Sequence, residues 1–117
     1  MLFELTMVPL GLGDHIAAPL ADVLRIVDAS GVRYRLTPSG TCLEGEWDEV
    51  MPVVRACHDA LRKGASHVIT TIGIEDQAGA SDMLRSNVVE LERRIGHPLE
   101  KLEAPAAASP GASSPAD

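Results

Sequence analysis

Residues 34–51 constrain the fold more than any other part of this chain. On both sides of Pro38 and Gly40, successive residues alternate in character with the period of two that strands have. Proline fixes its own φ angle, and we expect Gly40 to take the positive φ that tight turns often need. Helical spacing of apolar residues begins at Trp47. The sequence therefore predicts a β-hairpin that leads directly into a helix.

Regular patterns elsewhere predict the remaining elements. Residues 2–9 alternate as a strand, and residues 67–75 form a β-branched run that is typical of a central strand. Helical spacing recurs in residues 17–29, 47–63 and 81–95, and the expected buried stripe of the last helix is Leu84, Val88, Leu91 and Ile95. The order β-α-β-β-α-β-α predicts an α+β fold, namely a ferredoxin-like βαββαβ(α) sandwich with an antiparallel sheet and helices on one face.

Alternation within the strands assigns residues to two sheet faces. The apolar face, expected to meet the helices, holds Phe3, Leu5, Met7, Tyr34, Leu36, Leu43, Val68, Ile72 and Ile74. The opposite face is polar and rich in threonine, and holds Glu4, Thr6, Arg33, Arg35, Thr37, Cys42, Glu44, Thr71, Gly73 and Glu75. An uncovered sheet face commonly meets a second copy of itself. We therefore expect a homo-oligomer with a small-molecule cleft between its subunits.

Composition narrows the classes of function. The 117 residues suit one domain, which we place in residues 1–97, followed by an Ala/Pro/Ser-rich tail (98–117) that we expect to be disordered. A net charge of −7 argues against a nucleic-acid partner. The absence of a long apolar run and of a secretory leader predicts a cytoplasmic protein that does not cross a membrane. The cysteines and histidines lack metal-ligand spacing, and we expect no metal, no cofactor and no catalytic pair.

Residues 36–50, Leu-Thr-Pro-Ser-Gly-Thr-Cys-Leu-Glu-Gly-Glu-Trp-Asp-Glu-Val, resemble the signature of the small YkoF-like thiamine-binding proteins. Supporting matches are Val8-Pro9-Leu10-Gly11, Ser30-Gly31 and Thr70-Thr71-Ile72, so the resemblance covers about residues 1–97. It implies a ferredoxin-like fold, dimers or tetramers, and binding of thiamine or its hydroxymethylpyrimidine moiety without catalysis. The chain departs from the family pattern at Ser39, where Met is usual, and at Gly73 and Gln77, where Lys and Arg are usual. Loss of these two cations leaves two alternatives: a changed ligand, or a missing ion pair between subunits.

Six residues are candidate ligand-binding groups: Thr37, Gly40, Glu44, Glu46, Trp47 and Thr71. Thiamine carries a cationic thiazolium ring and an aminopyrimidine. A carboxylate from Glu44 or Glu46 would pair with the cation or accept a hydrogen bond from the amino group, and the Trp47 ring would cover a cation. The two threonines would supply neutral hydrogen bonds.

Each of these groups also has a structural interpretation. Glu46 precedes a helix and suits the helix dipole, Trp47 suits packing, and Glu44 suits an ion pair with Arg33 or Arg35 across strands. Threonine is a common strand residue. The alternative function is therefore a structural or regulatory oligomer whose polar sheet face is an interface rather than a pocket.

Overall fold

A computed structural model describes residues 1–101 of the chain. In order they form β1 (Leu2–Leu10), α1 (Ala17–Ala29), β2 (Arg33–Thr37), β3 (Gly40–Glu44), α2 (Trp47–Gly64), β4 (His67–Glu75) and α3 (Met83–Ile95). The four strands make one antiparallel sheet in the order β2-β3-β1-β4. The predicted α+β class and βαββαβ arrangement are confirmed. The tail that we expect to be disordered lies, from residue 102 onward, outside the described residues, so that expectation stays a prediction.

Helices α1 and α2 cover one face of the sheet. The register places Phe3 opposite Leu43 and Ile74, so these residues share that face. The buried cluster beneath the two helices comprises Phe3, Leu5, Val23, Val27, Leu43, Val50, Val54, Cys57 and Leu61. Burying each large aliphatic or aromatic side chain contributes about 1.5–3 kcal/mol. The division into two faces that alternation predicts is therefore correct.

Strand β4 lies at an edge of the sheet, whereas its β-branched composition predicts a central strand. It pairs with β1 through nine consecutive residue pairs, from Leu2–Glu75 to Leu10–His67. Within residues 1–101, no strand pairs with its other side. The prediction fails because β-propensity reports how a side chain suits a pleated surface and carries no information on the number of neighbouring strands.

Helix α3 lies on the sheet face opposite α1 and α2. Its first turn contacts Glu44, and the Asn87 amide donates to Glu75 at 3.3 Å. The predicted buried stripe is wrong in part, because Leu91 and Ile95 are 56% and 53% exposed. Met83 is the buried residue of the helix. Helix α3 therefore covers one end of the polar sheet face, which the sequence analysis leaves uncovered.

The β2–β3 hairpin turns at Pro38 and Ser39. The Thr37 hydroxyl closes it, accepting from the Gly40 amide and donating to the Gly40 carbonyl, both at 3.0 Å. Gly40 does not have a positive φ, so the expectation that the turn needs a glycine for its backbone angle is wrong. A Cβ atom at Gly40 would instead lie 2.8 Å from the Leu5 carbonyl oxygen. Close approach of the two strands requires the glycine.

We predict that Gly40→Ala lowers the free energy of unfolding by about 1–3 kcal/mol, because the added methyl group pushes β3 away from β1. Gly64→Ala is the matched control, since a Cβ atom there meets nothing within 4 Å, and it should raise stability by up to about 1 kcal/mol. Urea denaturation of both variants measures the difference. Equal midpoints would contradict the close contact at Gly40.

Candidate functional site

We call the sheet face opposite α1 and α2 the open face. The strand register arranges its residues in rows that run across the strands. The α3 row holds Arg33, Glu44, Leu2 and Glu75. The Glu4 row holds Arg35, Cys42, Glu4 and Gly73. The threonine row holds Thr37, Gly40, Thr6 and Thr71.

In the α3 row, the Glu44 carboxylate caps the N-terminus of helix α3. Its two oxygens accept from the amides of Met83 at 2.5 Å and Leu84 at 3.2 Å, and the side chain is only 9% exposed. The helix lacks a side-chain cap of its own because Asp82, at φ +54°, turns its carboxylate to Arg33 at 2.8 Å. Arg33 also lies 3.5 Å from Glu44. Glu44 thus satisfies amides that a helix end leaves without partners.

The Glu4 row is exposed and carries charges of both signs. Glu4 takes part in none of the ion pairs found among residues 1–101. Opposite it, Gly73 leaves open space, because a Cβ atom there would come no closer than 4.0 Å to Glu4. Partial burial and the charge of Glu4 raise the pKa of the Cys42 thiol. The backbone of Arg35 lies two strands, or roughly 10 Å, from that of Glu4. The Arg35 guanidinium donates to the Tyr34 carbonyl at 2.8 Å.

The threonine row brings three of the six predicted ligand residues together, namely Thr37, Gly40 and Thr71. Thr71 is exposed and lies directly opposite Thr6 on β1. The Thr37 hydroxyl is already engaged in the hairpin turn. The hydroxyl of Thr71 is therefore the group of this row that is best placed to meet a ligand. The methyl group of the neighbouring Thr6 also gives the row an apolar component.

Trp47 and Glu46 lie apart from these rows. The Trp47 ring packs edge-on against Phe3, with centroids 5.8 Å apart and planes at 89°, on the side that α1 and α2 cover. It remains 49% exposed. Glu46 is the N-cap residue of α2, and its amide donates to the Glu49 carboxylate at 3.3 Å. The structure thus places the hairpin's tryptophan and Glu44 on opposite sides of the sheet.

A groove of about 1400 Å³ runs between α1, β2 and α3. It reaches the open face at Arg35, Thr37 and Cys42. Five cationic side chains and two carboxylates line it, which is notable in a chain of net charge −7: Arg25, Arg33, Arg35, Arg85, Lys101, Asp28 and Glu92. A second cavity, under the hairpin, has only about 180 Å³. Because small-molecule sites usually span roughly 300–1,000 Å³, this second cavity is too small to enclose thiamine.

Sequence reasoning missed two features of the open face. It assigned Glu4 to this face without naming it as a ligand group, although a carboxylate that alternates with Phe3 and Leu5 was a readable signal. It could not foresee that α3 would cover Glu44, because that contact joins residues about forty positions apart.

Residues 1–101 contain no cluster of three or more potential metal ligands. None of the described helices is both long and apolar enough to cross a bilayer.

The chain belongs to the thiamine-binding protein family, whose pattern it matches over residues 3–92. The UPF0045 protein of Methanothermobacter thermautotrophicus is 36% identical, with 79% of this chain and 96% of that protein covered. The UPF0045 protein YqgV of Bacillus subtilis is 32% identical, with 79% and 94% covered. The family resemblance inferred from residues 36–50 is therefore confirmed.

Two solved structures share the fold. MJ1052 from Methanocaldococcus jannaschii superposes with a TM-score of 0.68 at 18% identity, covering 81% of this chain and 94% of that one. A Thermotoga maritima protein, provisionally assigned to thiamine biosynthesis or salvage, superposes with a TM-score of 0.67 at 21% identity, covering 77% and 96%. At these identities the likeness concerns the fold alone.

We predict that Glu44→Gln loosens α3 from the sheet, because a neutral amide accepts more weakly from the first-turn amides and no longer pairs with Arg33. The expected loss is about 1–3 kcal/mol of local stability. Hydrogen exchange should show faster exchange at Met83 and Leu84. Glu4→Gln, an exposed carboxylate on the same face, is the control and should leave both rates unchanged. Unaltered protection in the Glu44 variant would contradict the capping role.

Proposed function

We propose that this protein binds thiamine, a thiamine phosphate or the hydroxymethylpyrimidine moiety at the open face, without chemical turnover, as a cytoplasmic homo-oligomer. The observation that carries the proposal is the exposed carboxylate of Glu4, which has no ion-pair partner among the described residues and lies one row from the threonine row. Family membership supports the choice of ligand.

The two rows suit the chemistry of thiamine. The Glu4 carboxylate can pair with the thiazolium cation, and Gly73 leaves room for a flat ring beside it. Thr71 and Thr6 offer hydroxyl groups to the pyrimidine edge. The exposed Arg35, at the far end of the Glu4 row, would pair with a phosphate on the same ligand. A family Lys at position 73 would stand directly opposite Glu4, so Gly73 leaves this carboxylate available.

Two further observations support a binding role without turnover in an oligomer. The thiol of the Glu4 row, Cys42, has a raised pKa, and a thiol is a weaker nucleophile than its thiolate. Val8 and Ile69 lie side by side on the open face and are 42% and 48% exposed. Such an apolar pair beside polar rows suits contact with a second subunit that closes the cleft.

A second candidate function is a structural or regulatory oligomer without a small-molecule ligand. Glu44 favours this second function. It is the most buried of the candidate carboxylates, and its oxygens already bind the amides of α3 and Arg33, so they are not available to a ligand. The two functions differ in their response to thiamine. Under the second, the open face would bury against another subunit, and no ligand would compete for Glu4.

We predict that calorimetric titration with thiamine gives saturable binding with a simple ratio of ligands to subunits. Glu4→Gln should weaken the affinity at least tenfold, because a charged hydrogen bond contributes about 1.5–3 kcal/mol. Asp59→Asn is the matched control, since that exposed carboxylate lies on α2, which covers the other sheet face. Parallel titrations with hydroxymethylpyrimidine and thiamine diphosphate identify the preferred ligand. Absence of heat with all three, from a folded protein, would favour the second function.

We also predict that thiamine slows alkylation of Cys42, which neighbours Glu4 in the same row. Cys57 is the internal control: burial raises its pKa to about 11 and encloses the thiol in the core, so it should react only after unfolding. Mass spectrometry of the modified peptides measures both rates. Thiamine bound with no change in the Cys42 rate would place the ligand elsewhere.

A further inference from the structure

The groove between α1, β2 and α3 follows the outer edge of strand β2. Residues 33–38 all line it, so both faces of that strand take part. Helix α1 forms the wall on one side of the edge, and α3 forms the wall on the other. With a volume of about 1400 Å³, the groove is larger than most compact small-molecule sites and suits an elongated ligand.

Aliphatic side chains from all three elements line the groove: Leu24 of α1, Leu36 of β2, and Leu84, Val88 and Val89 of α3. Leu36 and Val89 are 51% and 46% exposed, so hydrocarbon faces the groove directly. Tyr34 contributes the single aromatic ring of the lining. Walls of this kind suit a flexible hydrocarbon chain better than a flat aromatic ligand, which would gain from stacking on several rings.

Both carboxylates that line the groove are already hydrogen-bonded. Asp28 accepts from the Tyr34 hydroxyl at 2.6 Å. Glu92 accepts from the Lys101 ammonium at 2.7 Å and from the Leu99 amide at 2.6 Å, and these bonds lower its pKa. Neither carboxylate forms an ion pair with an arginine within residues 1–101. The arginines of the groove are therefore not neutralised by its own carboxylates.

Two arginines of the groove, Arg35 and Arg85, lack a carboxylate partner in the part of the chain that the structure describes. The Arg35 guanidinium donates to a backbone carbonyl, that of Tyr34. Guanidinium groups bind carboxylates through paired hydrogen bonds, so these two side chains offer a place for an anionic head group beside aliphatic walls. The same positive charge disfavours a thiazolium cation in the groove.

The outer edge of β2 is not open to an added peptide strand. A peptide that extends a sheet must bond to the outward-facing backbone groups of the edge strand. The Tyr34 carbonyl is already taken by the Arg35 guanidinium at 2.8 Å. Pro38, which follows the strand, has no amide to donate. Side chains rather than backbone groups are therefore available to recognise a ligand here.

We propose that this groove binds a single-chain aliphatic carboxylate, a ligand of the fatty-acid class, with its carboxylate at Arg85 and Arg35 and its hydrocarbon chain along the aliphatic walls. Such a ligand removes exposed hydrocarbon from water and gives both guanidinium groups a partner. The site needs no thiamine binding, since Glu4 is not part of its lining. Arg35 also ends the Glu4 row, so a thiamine phosphate would compete with the carboxylate for it.

Calorimetric titration with decanoate, below its micellar concentration, tests the class of ligand. We expect one saturable site per chain. Octanoate, which is two methylene groups shorter, should bind roughly fivefold more weakly, because each buried methylene adds to the affinity. Decyltrimethylammonium has a chain of the same length and the opposite charge, and it should give no saturable heat. Equal affinities for the cation and for decanoate, or no decanoate binding by the folded protein, would overturn the proposal.

A charge placed in the groove tests the location. Val89→Glu should weaken decanoate binding at least about tenfold, because it sets a carboxylate against the ligand and removes hydrocarbon from the wall. Leu91→Glu is the matched control: it makes the same charge change on the same helix, at a residue that is 56% exposed and outside the lining. It should leave the affinity within about twofold of the parent protein. Equal losses in the two variants would overturn the location.

Removal of one arginine tests the head-group contact. Arg85→Gln should weaken decanoate binding roughly tenfold, because a charged hydrogen bond to the carboxylate is lost. Arg93→Gln is the matched control, since Arg93 lies on the same helix, outside the groove, and pairs with Glu90. Circular dichroism confirms that each variant is folded. Equal affinities for the two arginine variants would contradict the contact at Arg85.

Other occupants of the groove would give different results. Sedimentation of the protein with phosphatidylglycerol vesicles, without saturable decanoate binding, would mean that the groove meets a membrane surface. A changed oligomer mass in Val89→Glu, again without decanoate binding, would mean that a second copy fills it. Either result would overturn the proposal. These assays contain no thiamine, and Glu4→Gln should leave decanoate binding unchanged, so failure here is distinguishable from failure of thiamine binding.

Discussion

The contact on which the candidate site depends is that of the Glu44 carboxylate with the first-turn amides of α3. A helix end that leaves its amides without partners is costly inside a folded protein. Glu44 supplies them from the sheet, and Arg33 balances the charge while holding Asp82. These three side chains hold the beginning of α3 against one end of the open face. Without them the helix would be held there by the buried Met83 and by the Asn87 hydrogen bond to Glu75.

Because α3 covers only the α3 row, the other rows of the open face stay accessible. They differ chemically: the Glu4 row carries both charges, and the threonine row carries hydroxyl and methyl groups. The same helix forms one wall of the groove that reaches Arg35 and Cys42. The position of α3, fixed by the Glu44 cap, therefore determines both the shape of the groove and how much of the open face is covered. Moving α3 would change the surroundings of Arg35 and Cys42, which line that groove.

The alternation of residues in β1 and β4 predicted both sheet faces correctly, because that period depends only on local backbone geometry. For the same reason it placed Thr37 and Thr71 on one face of the sheet. Alternation also placed Glu44 on the correct face, but it could not place Trp47, which follows the end of β3 and packs against Phe3 on the other side of the sheet. The path of α3 was equally beyond local patterns. It depends on a capping contact between residues far apart in the chain.

The most direct measurement is backbone amide chemical-shift mapping during a thiamine titration of the folded protein. Binding at the open face predicts that the largest shifts fall on Glu4, Cys42 and Thr71, with those of α2 and the core unchanged. Shifts centred on Trp47 and Glu46, or no shifts at saturating thiamine, would contradict a ligand site at the Glu4 row.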